Sequence, residues 1–199
     1  MFFRNFHVLR AHPVLSTIGI IGLGLLETIL VSINYSWIKS PLFLDIIGTL
    51  ISTAAFGVVP GMVTALTLHV SLEVLSGFSG DFLPWVLVNI SSAAVFGVMI
   101  DRKLSETPFH LLTTILLITL VNSILGAFIS HYLYDGITGH QVDVVQTAFA
   151  AISQWFLSAE FLSRLPLNIV DKGIAVLCAY GLHLIWFSRW EDKGMQEAC

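Results

Sequence analysis

Polar side chains interrupt the long apolar stretches of this sequence at a few positions, and they are the residues that could do chemistry. The candidates for a ligand-binding site are Asp45, Glu73, Trp85, Asn89, Arg164, Asn168, Asp171 and Lys172. An ion in hydrocarbon is costly, so ions within apolar segments usually face a bundle interior or a water-filled cavity. Their presence therefore predicts a polar binding site inside a membrane protein, suited to a small polar or amphiphilic ligand.

The composition also indicates a membrane protein. Of the 199 residues, 56% are hydrophobic and 11% are charged, whereas a soluble domain carries roughly 25% charged residues. A chain of this length has room for one transmembrane domain over 1–199 and for no sizeable soluble domain. The formal net charge of -4 argues against a nucleic-acid partner. The expected partners are the lipid bilayer and a small molecule.

The apolar runs predict an all-α integral membrane protein, a six-helix transmembrane bundle. The predicted spans are about 14–35, 42–58, 61–76, 82–100, 109–134 and 167–187. The second and third helices are short, because Pro60 and Gly61 interrupt one long run and predict a tight hairpin. In the same way, Pro166 predicts a break before the last span. We expect the first span to remain uncleaved, since its apolar run is too long for the core of a signal peptide.

The segment 144–162 has two interpretations. It could span the membrane, but its apolar stripe faces away from a polar side that carries Gln146, Ser153, Gln154 and Ser158. This pattern favours a helix at the membrane surface or capping the bundle. We therefore expect an additional interfacial helix rather than a seventh span.

The flanking cations predict the orientation. If the chain has six spans and an internal N-terminus, six flanking cations lie on the cytoplasmic side: Arg4, Arg10, Arg102, Lys103, Arg189 and Lys193. Cytoplasmic loops carry an excess of Lys and Arg, so we expect both termini in the cytoplasm. The candidate binding residues then fall in the outer half of the membrane.

Helical spacing places the candidates on shared helix faces, and we expect these faces to point into the bundle. Asn168, Asp171 and Lys172 share one face of the last span, and Glu160 and Arg164 join that face if the helix continues across the proline. Each candidate also has a structural interpretation. An aspartate paired with Lys172 could fix packing, an asparagine could link two helices, and a tryptophan could belong to an aromatic belt at the membrane interface.

Catalytic motifs give no support for an enzyme. Gly77-Phe78-Ser79-Gly80 matches the GxSG of intramembrane serine proteases, but Asp81 and Pro84 follow and indicate a surface turn. The sequence contains no HExxH, no P-loop and no clustered Cys/His site. We expect no catalytic residue, no metal and no cofactor.

Three stretches resemble the substrate-binding S components of energy-coupling factor (ECF) vitamin transporters. They are Pro41–Thr49 followed by Phe56–Gly61, Pro84–Asn89 with Gly97, and Arg164–Gly173. The resemblance covers most of the chain, and its motifs identify no particular vitamin.

The resemblance implies a binding subunit in a bacterial inner membrane that takes up a micronutrient together with a membrane T component and two ABC-type ATPases. The pocket positions that it implies are Asp45, Glu73, Asn89, Arg164, Asn168, Asp171 and Lys172. The Ala-xxx-Ala coupling motif of the family is not matched, and Gly24-Thr28-Ser32 has the same spacing. Similar membrane regions occur in bacterial sensor kinases, so a ligand-sensing domain without transport is the alternative. In a third hypothesis the buried ions only fix packing.

Overall fold

The structure is a computed structural model that describes residues 13–101, 107–150 and 156–197. Within these ranges the chain forms α1 Pro13–Ile33, α2 Ile47–Phe56, α3 Val58–Leu75, α4 Val86–Asp101, α5 Pro108–Tyr134, α6 Val142–Ala150 and α7 Phe156–Glu197, and it forms no strand. A π-helical turn, Asn34–Ile38, extends α1, and a 3₁₀ turn, Leu83–Trp85, precedes α4.

Five helical segments are long and apolar enough to cross a membrane. They are Pro13–Ile38, Val58–Leu75, Leu83–Ile100, Pro108–Tyr134 and Ala159–Leu184. Large apolar side chains cover their outer faces, as on α1, where Leu15, Ile18 and Leu26 are exposed. The predicted fold class, an all-α multi-pass membrane bundle, is confirmed.

The short helix α2 lies in the middle of the bundle. It packs against α1, α3, α4 and α7, and at ~1.5 Å per residue it is only about 15 Å long. Leu50 and Ala54 of α2 form a core cluster with Phe96, Ile118 and Val176 from three other helices. Because protein surrounds α2, its unpaired backbone ends are not left in lipid, which is what makes so short a helix tolerable.

The turn between α2 and α3 differs from the predicted hairpin. It consists of Gly57 alone, with a φ of 110° that side chains rarely adopt. Pro60 and Gly61 lie instead in the first turn of α3, where a proline is tolerated because the first N–H groups of a helix have no intrahelical partner. Gly61 allows α2 to approach closely, since a Cβ there would overlap the side chain of Thr53.

The second predicted span is helical only from Ile47 onwards. The residues before it form an irregular loop in which Leu44 has a left-handed backbone conformation, with φ 54°. Asn34 Nδ2 donates to the Leu42 carbonyl at 2.6 Å and ties this loop to the end of α1. The sequence predicted that Asp45 lies in the outermost helical turn of the second span. It lies instead in the loop before α2.

The last helix is continuous across Pro166, contrary to the predicted break. Pro166 is on the exposed face of α7, so its ring does not displace a neighbouring helix. The opposite face packs along α5 and α2, and this packing outweighs the hydrogen bond that a proline removes. The consequence is that Glu160, Arg164 and Lys172 share one buried face.

The helix α6, Val142–Ala150, covers part of the segment predicted to be interfacial. At ~1.5 Å per residue this described part is about 14 Å long, too short to cross a bilayer core of about 30 Å. It packs against α7. Residues 151–155 of the predicted segment lie outside the described residues, as do Arg4, Arg10, Arg102 and Lys103 of the flanking cations.

Candidate functional site

A cavity of about 440 Å³ lies at one end of the bundle, called here the cavity end. The ends of α1 and α3 and the loops that lead into α2 and α4 meet there. The side chains that give the lining its chemistry are Tyr35, Phe43, Asp45, His69, Asp81, Phe82, Trp85 and His140. Tyr35 and Asp81 are exposed, so this part of the lining reaches the surface.

Three ionic side chains, called here the ion cluster, lie against the cavity. Lys172 Nζ is 2.8 Å from Asp45 Oδ1 and 2.5 Å from Asp171 Oδ2. The Leu44 N–H donates to Asp171 Oδ1 at 2.8 Å, and Asn89 Nδ2 donates to the Asp45 carbonyl at 2.6 Å. These bonds join the loop before α2 to α4 and α7, so the predicted candidates Asp45, Asn89, Asp171 and Lys172 form one connected unit.

The ion cluster reaches the cavity through Asp45. Its side chain is 16% exposed, whereas that of Lys172 is 2% exposed. Burial opposes the ionisation of Asp45, but the charge and hydrogen bond of Lys172 prevail and hold the pKa of Asp45 below its ordinary value. Asp45 therefore presents an ionised carboxylate to the cavity at neutral pH.

Arg164 lies behind two rings of the cavity lining. Its guanidinium carbon is 5.4 Å from the ring centre of Trp85 and 5.9 Å from that of Phe43. The side chain is buried, and Nε and Nη2 make no hydrogen bond to the described residues. Glu160, one turn earlier in α7, lies 3.4 Å from His131 Nδ1. Arg164 is thus a buried cation that lies against two aromatic rings.

Glu73 has a different environment from the one predicted. Its carboxylate accepts backbone N–H groups from Gly80, from Phe82 at 3.0 Å and from Leu83 at 3.2 Å. It therefore organises the loop between α3 and α4 and caps the turn that begins the fourth span. Glu73 does not line the cavity.

Asn168 links helices rather than lining the cavity. Its Nδ2 donates to Ser123 Oγ at 2.9 Å, and Thr119 Oγ1 donates to the Asn168 carbonyl at 3.3 Å. A neighbouring bond between Ser92 Oγ and Asn122 Oδ1, 2.9 Å long, joins α4 to α5. These contacts are the interhelical bonds that polar residues commonly make in membrane bundles.

Two buried polar side chains, one that caps a helix and one that lines the cavity, were not among the predicted site residues. Glu27, the only charge of the first span, accepts from the Gly48 N–H at 2.7 Å and the Thr49 N–H at 3.3 Å, and so caps α2 from another helix. His69 is buried and lines the cavity, and neither ring nitrogen makes a well-formed hydrogen bond within the described residues. A lone charge in an apolar run was the available signal for Glu27.

The loop between α5 and α6 brings His140 over the cavity. The ring of His140 stacks on Phe43 with 4.9 Å between ring centres. The Asp143 carboxylate holds this loop by accepting the N–H of Thr138 at 2.9 Å and that of Gly139 at 2.8 Å. Desolvation by burial lowers the pKa of His140, so its ring is neutral at pH 7.

Of the eight predicted site residues, the structure places Asp45 and Trp85 in the lining and brings others to it through direct contacts. Asn89 and Lys172 each contact Asp45, Asp171 contacts Lys172, and Arg164 lies against Trp85. Among the described residues, no group of three or more His, Cys, Asp and Glu side chains could hold a metal ion. Searches of family models, curated proteins and solved structures found no match to this chain.

Proposed function

We propose that this protein is a membrane-embedded binding subunit for the uptake of a small micronutrient, a vitamin or its precursor, and that a separate ATPase module drives the uptake. The cavity is the observation that carries this proposal. A volume of about 440 Å³ suits a small organic ligand. Its wall combines rings with the ionised carboxylate of Asp45, which Lys172 of α7 holds in place, and this arrangement can orient a polar ligand.

We propose the orientation in the membrane from the topology and the flanking cations together. The start of α1 and the ends of α4 and α7 lie away from the cavity end, and these are the helix ends that the flanking cations adjoin in the sequence. The excess of Lys and Arg on cytoplasmic loops then supports a cavity that faces the outside of a bacterial cell membrane, with both termini in the cytoplasm. A cavity on that side is suited to capture.

A ligand-sensing membrane domain without transport is the second candidate, and one observation favours it. Gly24 and Thr28, which have the spacing of the coupling motif of ECF S components, are buried, and a Cβ on Gly24 would collide with Thr67 of α3. This stripe therefore serves internal packing. Coupling to a T component would need another surface, such as the exposed apolar face of α1.

Ligand binding by the full-length protein in nanodiscs tests the shared part of both candidates. We expect mass spectrometry to find a small molecule carried through purification, and one of the water-soluble vitamins or their precursors to raise the melting temperature. A ligand at 100 times its Kd stabilises by about 2.7 kcal/mol. If no compound copurifies and none stabilises the protein, the hypothesis that the buried ions only fix packing replaces both candidates.

A matched pair of tryptophan variants tests whether such binding uses this cavity. Trp85→Leu removes a ring of the lining and should abolish the ligand-induced shift, while Trp85→Phe should retain part of it. Trp37→Leu is the control, because Trp37 is 85% exposed and lies outside the lining. Copurification with two ABC-type ATPases, together with ligand accumulation in vesicles, would favour transport over sensing.

A further inference from the structure

The charge around the cavity is negative. Asp45 and Asp81 are in the lining, which contains neither Lys nor Arg. In the ion cluster two carboxylates contact the single ammonium of Lys172, so the cluster adds no excess of positive charge beside the cavity. The other nearby cation, Arg164, lies behind Phe43 and Trp85, and the carboxylates of Asp143 and Glu160 act on its charge. A ligand with a positive charge would complement this field, and a carboxylate ligand would oppose it.

The rings of the lining divide into two pairs. Phe43 and Trp85 already hold cations of the protein, with Lys172 Nζ 5.3 Å from the ring centre of Phe43 and the Arg164 guanidinium close to both rings. Tyr35 and Phe82 meet edge to face, with 6.4 Å between their centres and 74° between their planes. The ring centre of Tyr35 also lies 6.3 Å from that of His140. Within the described residues no Lys or Arg side chain lies over Tyr35 or Phe82, so these rings have no cation–π partner in the protein.

His69 supplies an unused polar group in the same wall. It is 2% exposed and its ring nitrogens lack well-formed hydrogen bonds to the described residues, although the Phe82 backbone and the Asn89 side chain are among its polar neighbours. A buried imidazole whose hydrogen bonds are poorly formed is costly. A polar atom of a bound ligand would relieve that cost.

From these three observations we infer that the ligand is an organic monocation with a planar aromatic ring. Asp45 and Asp81 face its charge, Tyr35 and Phe82 contact its ring, and His69 makes a hydrogen bond to its polar edge. This inference rests on the proposed binding function and adds the chemical class of the ligand.

Three probes of one size and different charge test the class. N-methylquinolinium is the cation, quinoline the neutral form and quinoline-3-carboxylate the anion. Binding is measured by isothermal titration calorimetry at pH 7.5, with the full-length protein in nanodiscs of zwitterionic lipid and empty nanodiscs as the blank. We expect the cation to bind about tenfold more tightly than quinoline, in keeping with a cation–π contact and a nearby carboxylate. Equal binding of all three, or preference for the anion, overturns the inference.

A pair of carboxylate variants locates the effect. Asp81→Asn should weaken binding of N-methylquinolinium about fivefold and leave quinoline binding unchanged. Asp135→Asn is the control, because Asp135 is exposed at the same end of the bundle and does not line the cavity. If both variants weaken the cation equally, the preference comes from general surface charge and the inference fails.

The two proposals can fail separately. If a neutral or anionic compound copurifies and its binding is lost in Trp85→Leu, the binding function stands and the cationic class is wrong. If no compound copurifies and none of the three probes binds, both proposals are wrong.

Discussion

The ion cluster and the cavity wall beside it are both polar and both buried, but they differ in how closely their polar groups are paired within the protein. In the ion cluster, Asp45 and Asp171 each contact Lys172, and Asp171 also accepts a backbone N–H. In the cavity wall, the ring nitrogens of His69 make no well-formed hydrogen bond to the described residues, although the Phe82 backbone and the Asn89 side chain lie near them. Directly behind the wall, two nitrogens of Arg164 likewise make no well-formed hydrogen bond to these residues. Both regions carry polar groups that hydrocarbon would penalise.

This difference separates two roles that a buried polar group can have. A group whose bonds are made contributes to holding the helices together, and removing its partner exposes an uncompensated charge. A group whose bonds are not made keeps a desolvation cost that a ligand can relieve. Substitutions in the ion cluster should therefore change stability first, and substitutions in the cavity wall should change binding first.

Removal of Lys172 gives the largest expected effect. Lys172→Met leaves Asp45 and Asp171 buried near each other without a cation, and breaking such a pair costs about 3–5 kcal/mol. We expect a large fall in melting temperature in nanodiscs, or loss of folded protein. Lys39→Met, which removes an exposed lysine, should leave the melting temperature unchanged.

A double variant makes the test specific. Lys172→Met combined with Asp171→Asn removes one of the two carboxylates along with the ammonium, and should recover part of the lost stability. If the double variant is as unstable as the sum of the single variants, the three side chains do not act as a cluster.

Substitution of Glu73 should have an intermediate effect, because its carboxylate is paired with backbone N–H groups and not with a charged side chain. Glu73→Gln replaces one accepting oxygen by an NH₂ group that cannot accept the N–H of Gly80, Phe82 or Leu83. We expect the amides of Gly80 and Phe82 to exchange hydrogen about tenfold faster, since one hydrogen bond to a charged group is lost. Unchanged exchange in Glu73→Gln would show that the carboxylate does not order this loop, and Asp135→Asn serves as the control.

The sequence predicted the fold class well, since apolar runs and rare charges report directly on membrane spans. The helix boundaries that it predicted at proline and glycine were less accurate. Pro166 lies within a continuous helix and Pro60 within the first turn of another, because packing by neighbouring helices overrides a local signal. Of the site, the shared face of Asp171 and Lys172 was predictable from spacing. The loop amides that occupy Glu73 and the ring stack of His140 depend on loop conformations that have no periodic pattern.

The smallest expected effect concerns His140, a partly exposed member of the cavity wall. Because burial lowers its pKa in the folded protein below the ordinary value of 6.5, the unfolded chain binds a proton more readily than the folded chain as the pH falls below about 7. Its contribution to stability is therefore present above pH 6.5 and is lost as the pH falls towards the folded pKa. Melting curves of the wild type between pH 7.5 and 5.5 should show a falling melting temperature.

The other histidines of the chain also titrate in this range, so the difference between two proteins is the informative quantity. His140→Gln keeps a polar side chain that cannot be protonated and should make the melting temperature less dependent on pH than in the wild type. Asp45, Asp143, Arg164 and Lys172 act on His140 in both directions, and burial outweighs them. If the two proteins show the same pH dependence, His140 is not held neutral by its stack on Phe43, and this part of the cavity wall is more open to water than its contacts indicate.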